Sequence, residues 1–160
     1  MKKMILGAAS LAMVMMAACS GSPKTELPGN TKDEVYTGVL PAADADGVRY
    51  TLKLDYDSDK PGGDYDLVEV YLVGDSTSAT GYKDGARFKS KGDFTVMDGT
   101  GANSAKKYLK LTQDAKDSSK GSAGGPMYFL VDSDSTLVMV NAELEQSAMP
   151  GMNYTLKLVR

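Results

Sequence analysis

The sequence predicts an all-β domain, a small antiparallel meander β-barrel of about eight strands, behind an N-terminal export signal. Two observations predict it. Short segments in which apolar and polar residues alternate recur along residues 35–160, separated by Gly, Asp, Ser or Pro. No segment carries the apolar stripe that an amphipathic helix needs. Strands with one apolar face require a shared interior, and closing the sheet removes its edges, so a barrel is favoured over a sandwich.

The N-terminal residues 1–18 have the pattern of a signal peptide. A short basic start precedes an uncharged apolar run that is shorter than a membrane span of about 20 residues. Small residues then precede Cys19, which resembles the lipobox of bacterial lipoproteins. The resemblance implies cleavage before Cys19, a diacylglyceryl group on its sulfur and palmitate on its amine. The alternative is an ordinary residue near a conventional cleavage site, but Cys19 is the only cysteine and can form no internal disulfide.

Lipid attachment at Cys19 predicts a location in the cell envelope. Several acyl chains, each worth about 0.8 kcal/mol per buried CH₂, form a stable membrane anchor. Ser20 stands where an acidic residue favours inner-membrane retention in some bacteria, so we expect the outer membrane. Residues 19–34 are polar and interrupted by Gly and Pro, which predicts a flexible tether. The barrel domain is then expected over residues 35–160.

The composition excludes several classes of function. The chain has no histidine, which excludes histidine-based acid–base catalysis and the commonest transition-metal ligand. With one cysteine, assigned to the anchor, the classical zinc sites are excluded as well. The net charge of −3 gives no electrostatic reason to bind nucleic acid. We therefore expect a protein that is not an enzyme and has no cofactor.

The strands can be predicted in order along the chain. Val35–Leu54 predicts a first strand, a tight polar corner and a second strand, whose inner face carries alternate residues from Tyr50 to Tyr56. The third strand is expected to place Val68, Val70 and Leu72 inside. A loop follows at residues 76–85. The remaining predicted strands are Ala86–Ser90, Asp93–Met97, Lys106–Thr112, Pro126–Val131, Thr136–Val140 and Asn153–Arg160, with a polar loop at Gln113–Gly125.

The first corner carries a motif that resembles a known family. The motif is Tyr36-x-Gly38-x-Leu40-Pro41-x-Ala43-Asp44-x-x-Gly47-Val48, followed by alternating residues to Leu54. It resembles the N-terminal domain of the copper-resistance lipoprotein NlpE. The closing segments are similar to that domain's last strands: Met127-Tyr128-Phe129, Thr136–Val140 and Met152-Asn153-Tyr154-Thr155-Leu156-Lys157.

This resemblance implies a lipocalin-like barrel with roles in the bacterial envelope. It implies an outer-membrane lipid anchor, envelope stress signalling through the sensor kinase CpxA, surface sensing and copper tolerance. We therefore expect a lipid-anchored protein that acts by contact with an envelope partner such as a sensor kinase. The alternative is a carrier of a small hydrophobic ligand, and copper handling is the least favoured of the three.

One departure from the family bears on copper. NlpE-like domains typically carry Cys-x-x-Cys inside the first corner, and here those positions are Ala42 and Ala45. A thiolate pair would be the reason to expect Cu(I) binding or a redox-sensing disulfide, because soft sulfur ligands select Cu(I). Met149 and Met152 offer two thioethers as weak metal candidates, although methionines beside a strand more often fill a core.

Three further groups of side chains are candidate sites. Asp55, Asp57 and Asp59 share the spacing of a calcium loop, but no flanking helices are predicted, so a hairpin turn is favoured. Asp44 and Asp46 lie in a corner with Gly47, where turn chemistry favours aspartate. Tyrosines are expected to line a barrel mouth and meet an amphipathic ligand, or else to fill the interior: Tyr50, Tyr56, Tyr71 and Tyr154.

Overall fold

The computed structural model describes residues 33–115, 125–147 and 149–160. These residues form a closed barrel in which each strand pairs antiparallel with the next and the last strand pairs with the first. The predicted meander barrel is therefore confirmed. A short 3₁₀ helix follows β4 at Gly101–Asn103. The strands are β1 (Asp33–Leu40), β2 (Gly47–Tyr56), β3 (Gly62–Gly74), β4 (Tyr82–Asp98), β5 (Lys107–Gln113), β6 (Met127–Ser133), β7 (Thr136–Val140) and β8 (Thr155–Leu158).

The strand order gives the barrel two distinct ends. We call the end where β1 begins the entry end, and the opposite one the distal end. Because the strand number is even, the chain also leaves at the entry end, where the Val35 N–H donates to the Arg160 carbonyl oxygen at 2.7 Å. The connections at residues 41–46, 75–81 and 141–154 lie at the distal end, and so do both ends of the β5–β6 connection.

The middle of the barrel is filled by one cluster of apolar side chains. Each fully buried leucine or phenylalanine contributes about 1.5–3 kcal/mol to folding. The predicted inner face of β2 is confirmed, because Leu52 and Leu54 are fully buried and Tyr50 and Tyr56 pack against the cluster. The tyrosines, phenylalanines and leucines of the cluster are Tyr36, Leu40, Leu52, Leu54, Tyr65, Leu67, Phe94, Leu109, Leu111, Phe129, Leu137 and Leu156.

The predicted inner face of β3 is wrong. The sequence analysis placed Val68, Val70 and Leu72 inside, but these residues face outward. Leu67 lies opposite Leu52 of β2, and both belong to the core cluster. Alternation could not select the face, because both faces of β3 carry apolar residues.

An ion pair explains why the outer face of β3 is also apolar. Val70 and Leu72 are each 5% exposed although they point away from the interior. Arg49 of β2 lies opposite Val70, and Asp84 of β4 lies opposite Leu72. The Arg49 Nη2 atom contacts both Asp84 carboxylate oxygens at 2.7 Å, so the pair crosses over β3 and covers the two side chains.

Two predicted strands are in fact one. The segments 86–90 and 93–97 both belong to β4, which already begins at Tyr82 within the predicted loop. Gly92, interpreted as a break, lies where a Cβ atom would overlap the Thr112 carbonyl oxygen of β5. The glycine allows β5 to approach β4 closely and does not end the strand.

The first strand begins earlier than the predicted domain boundary. β1 starts at Asp33, whereas the sequence analysis assigned residues 19–34 to the tether. Glu34 pairs with Leu54 and its side chain is fully buried. The expected signal peptide (1–18) and Cys19 lie outside the described residues.

Candidate functional site

The first corner, residues 41–46, lies at the distal end and docks on β3. The Asp46 N–H donates to the Leu72 carbonyl oxygen at 3.2 Å, and the Gly74 N–H donates to Asp46 Oδ2 at 2.7 Å. Asp46 therefore serves the turn, while Asp44 is exposed to solvent. The two carboxylates form no catalytic pair in this geometry, since Asp46 is committed to the β3 backbone.

The two alanines expected to stand at the family's cysteine positions are half-buried in this corner. Ala42 and Ala45 present only methyl groups. A methyl group supplies neither a soft sulfur ligand nor a thiol for redox chemistry. The first corner therefore cannot bind Cu(I) or form a disulfide through these two positions, as a cysteine pair would.

The methionine candidates lie in the β7–β8 connection at the distal end. Met149 is 55% exposed and Met152 is 46% exposed, so neither fills the core. The Met152 N–H donates to the Met149 carbonyl oxygen at 3.4 Å, and the Tyr154 hydroxyl lies 3.7 Å from the Met152 sulfur. Two thioethers, one already accepting a hydrogen bond, make a poor copper site.

Of the aspartates with calcium-loop spacing, Asp55 belongs to β2, and Asp57 and Asp59 lie in the hairpin turn between β2 and β3. The Asp59 N–H donates to Asp57 Oδ1 at 3.1 Å, and Lys60 lies 3.3 Å from Asp57 Oδ2. The backbone hydrogen bond, together with Lys60, holds the pKa of Asp57 below its ordinary value. Among the described residues, no group of three or more His, Cys, Asp or Glu side chains is arranged to hold a metal ion.

The tyrosines expected at one mouth are divided between the two ends. Tyr50, Tyr71 and Tyr154 lie towards the distal end. Tyr56 lies at the entry end of β2, where its ring meets Phe94 edge to face at a centroid distance of 5.0 Å. The prediction of a common mouth is therefore wrong for Tyr56.

The distal end of the interior contains a half-buried group that we call the distal mouth, formed by Tyr50, Glu69, Tyr71 and Phe88. Glu69 lies directly opposite Tyr50 of β2 and Phe88 of β4. The Tyr71 and Phe88 rings meet edge to face at 5.5 Å. Burial first, then the charge and hydrogen bond of Glu69, raise the pKa of Tyr50 above its ordinary value, so this hydroxyl stays protonated.

Glu69 and Phe88 were not predicted from the sequence as residues of a site. The wrong face for β3 had turned Glu69 outward, and Phe88 lay in a strand fragment whose inner face was not assigned. The signal that could have found Glu69 is its period-two spacing from Tyr65 and Leu67, which are large and apolar.

The entry end of the interior contains a buried carboxyl group, Glu34. The Tyr36 hydroxyl donates to Glu34 Oε2 at 3.0 Å. The Tyr56 hydroxyl is near enough to lower the Glu34 pKa, yet neither it nor Glu34 Oε1 completes a hydrogen bond of normal geometry. Burial is the larger influence and raises the Glu34 pKa above its ordinary value of 4.5.

Replacing Glu34 with glutamine should stabilise the fold at neutral pH. A carboxyl group whose pKa is higher in the folded chain binds a proton more tightly there, so stability falls as the pH rises from 4.5 through the folded-state pKa and then levels. Glutamine removes this loss, which is about 1.4 kcal/mol for each unit by which the pKa is raised. Urea unfolding of wild type and Glu34→Gln from pH 4 to pH 8 measures it.

The control for this experiment is Glu143→Gln, because Glu143 is exposed in the β7–β8 connection. Its pH profile should match that of wild type. If the advantage of Glu34→Gln were the same at every pH, ionisation of Glu34 would not be its cause.

Most large apolar side chains that are exposed in the described residues lie at the distal end. We call this group the distal rim, and it contrasts with the entry end, where Val159 is exposed. The members of the distal rim are Val39, Val73, Tyr82, Met149 and Met152.

Most of this barrel matches a known protein family. Residues 36–149 match the family described as the NlpE N-terminal domain. The chain belongs to the NlpE N-terminal domain family. No curated protein matches it, and neither does any solved structure.

Membership of the NlpE family indicates a bacterial envelope lipoprotein of the NlpE type, in a family that is not one of enzymes. The suspected family is thus confirmed. Two motif residues have clear structural roles, because Tyr36 and Leu40 belong to the core cluster. In the described part of the chain, no helix is long and apolar enough to cross a membrane.

Proposed function

We propose that this NlpE-family protein is a lipid-anchored, non-enzymatic envelope lipoprotein that acts by protein contact in envelope stress or surface sensing. The observation that carries the proposal is the family match over residues 36–149. The anchor is Cys19, the outer membrane is its location, and an envelope protein such as a sensor kinase is its partner.

The arrangement of the barrel supports this role. The anchored segment would join the barrel at Asp33, at the entry end, so the distal end would face away from the membrane. A fully extended chain from Cys19 to residue 32 spans at most about 50 Å, which bounds the distance between the membrane and the entry end. The distal rim and the connections around it would form the contact surface, because a rigid barrel presents its loops well.

The interior gives less support to a carrier of hydrophobic ligands. A carrier needs a lined cavity in the barrel, and here thirteen buried residues pack in one cluster through its centre. Copper handling has no support from Ala42 and Ala45. Partner contact therefore remains the function that the barrel supports best.

Replacing Cys19 with serine should abolish both membrane attachment and the sensing response. Serine cannot form the thioether to diacylglycerol, so the signal peptide would not be processed as in a lipoprotein. The measurement complements a deletion strain with wild type, Cys19→Ser or Ser22→Ala, and records palmitate labelling, membrane fractionation and an envelope stress reporter. We expect wild type and Ser22→Ala to behave alike.

The two parts of the proposal can fail separately. Palmitate labelling of Cys19→Ser would refute the anchor. A reporter that responds equally in the deletion strain and in wild type, under several envelope stresses, would refute the sensing role while leaving the anchor intact.

A further inference from the structure

The distal mouth is partly exposed down to one inner row of side chains, and Tyr71 lies one row nearer the distal end of the barrel. Tyr50, Glu69 and Phe88 form this row across β2, β3 and β4, and each is partly exposed. The next row towards the centre is closed, with no member more than 4% exposed: Leu52, Leu67 and Ser90. The distal mouth is thus a shallow recess, and buried side chains close its base.

Aromatic rings form much of the surface of this recess. Phe88 and Tyr71 hold each other edge to face at 75°, which fixes both ring planes. Tyr50 packs against the core cluster below. Aromatic faces carry negative electrostatic potential, so the recess favours positive charge.

Glu69 adds a carboxylate to the recess. Arg49, Lys53, Lys60 and Lys107 each pair with an aspartate rather than with Glu69. Its neighbour is the neutral Tyr50 hydroxyl. A carboxylate beside aromatic faces attracts an incoming cation.

We propose that the distal mouth binds an organic cation, an ammonium or quaternary ammonium group on a small apolar body. Glu69 supplies the counter-charge, and the rings of Tyr50, Tyr71 and Phe88 contact the cation through their faces. A metal ion does not fit, because a single carboxylate with aromatic neighbours lacks the oxygen ligands that hard cations need. The inference does not depend on lipid anchoring or on a signalling partner.

The test is a proton NMR titration of benzyltrimethylammonium with the full acylated chain in a neutral detergent. The methyl signal should broaden and move upfield, because ring currents act on groups above aromatic faces. Benzenesulfonate and benzyl alcohol, of similar size but negative or neutral, should show much weaker effects. Binding of the cation should weaken as salt is added.

Three variants separate recognition from folding. Glu69→Gln keeps an acceptor for Tyr50 but removes the charge, and should weaken binding at least about ten-fold. Phe88→Leu should reduce the upfield shift. Glu143→Gln removes an exposed distal charge and should bind as wild type does. The proposal is overturned if benzyltrimethylammonium does not bind, if Glu69→Gln binds it equally, or if benzenesulfonate binds as well.

Discussion

Replacing Gly38 with valine should open the barrel between β1 and β8. A Cβ atom at Gly38 would overlap the Thr155 carbonyl oxygen and crowd the Leu156 side chain. The β1–β8 pairing is short, with Tyr36 opposite Leu158 and Thr37 opposite Lys157, so it has little capacity to absorb a shift. Because the obstruction is backbone rather than a flexible side chain, we expect a loss of at least about 3 kcal/mol.

Urea unfolding and amide hydrogen exchange measure this effect. Exchange should accelerate in β8 before it does in β3 and β4, whose long pairing is distant from the substitution. The matched control is Gly125→Val, because nothing lies within 4 Å of a Cβ atom there. Equal stability of the two variants would show that Gly38 is not required for closure.

Replacing Phe94 with alanine should cost about 3–5 kcal/mol of unfolding free energy. Phe94 is 1% exposed, belongs to the core cluster and holds the Tyr56 ring edge to face. Removing its ring would leave a cavity that rigid neighbouring strands cannot fill. Chemical unfolding followed by circular dichroism gives the value.

The same change at Phe88 is the natural comparison, because it removes the same atoms from a partly exposed position. We expect Phe88→Ala to cost only about 1–2 kcal/mol, most of it from lost burial and the edge contact with Tyr71. If the two variants lost equal stability, the distal mouth would be as much a part of the core as the interior is, contrary to its exposure.

Much of the barrel could be predicted from the sequence because each strand has a local signal. The alternation from Tyr50 to Tyr56 gives one apolar face, and the polar corner after Leu40 fixes the hairpin. The prediction failed where two faces were equally apolar, as in β3, and where a glycine served close packing, as Gly92 does. These outcomes depend on neighbouring strands, which a single segment does not specify.

The candidate sites were harder to predict for a related reason. Cys19, Ala42 and Ala45 come from motifs of adjacent residues, which a sequence displays directly. The distal mouth instead joins Tyr50, Glu69 and Phe88 through the register of three strands. Glu34 was assigned to the tether because the first strand was expected to begin at Val35. β1 begins two residues earlier, at Asp33, and Glu34 is buried as its second residue.

The end of the chain lies beside the first strand of the barrel, and this has a practical consequence. Val159 and Arg160 make backbone hydrogen bonds to Val35, so anything joined after Arg160 would emerge next to the first strand. A fluorescent protein or affinity tag fused there would lie at the entry end and leave the distal end unobstructed. By the same geometry, a second module added at the C-terminus by gene fusion would extend from the entry end rather than cover the distal end.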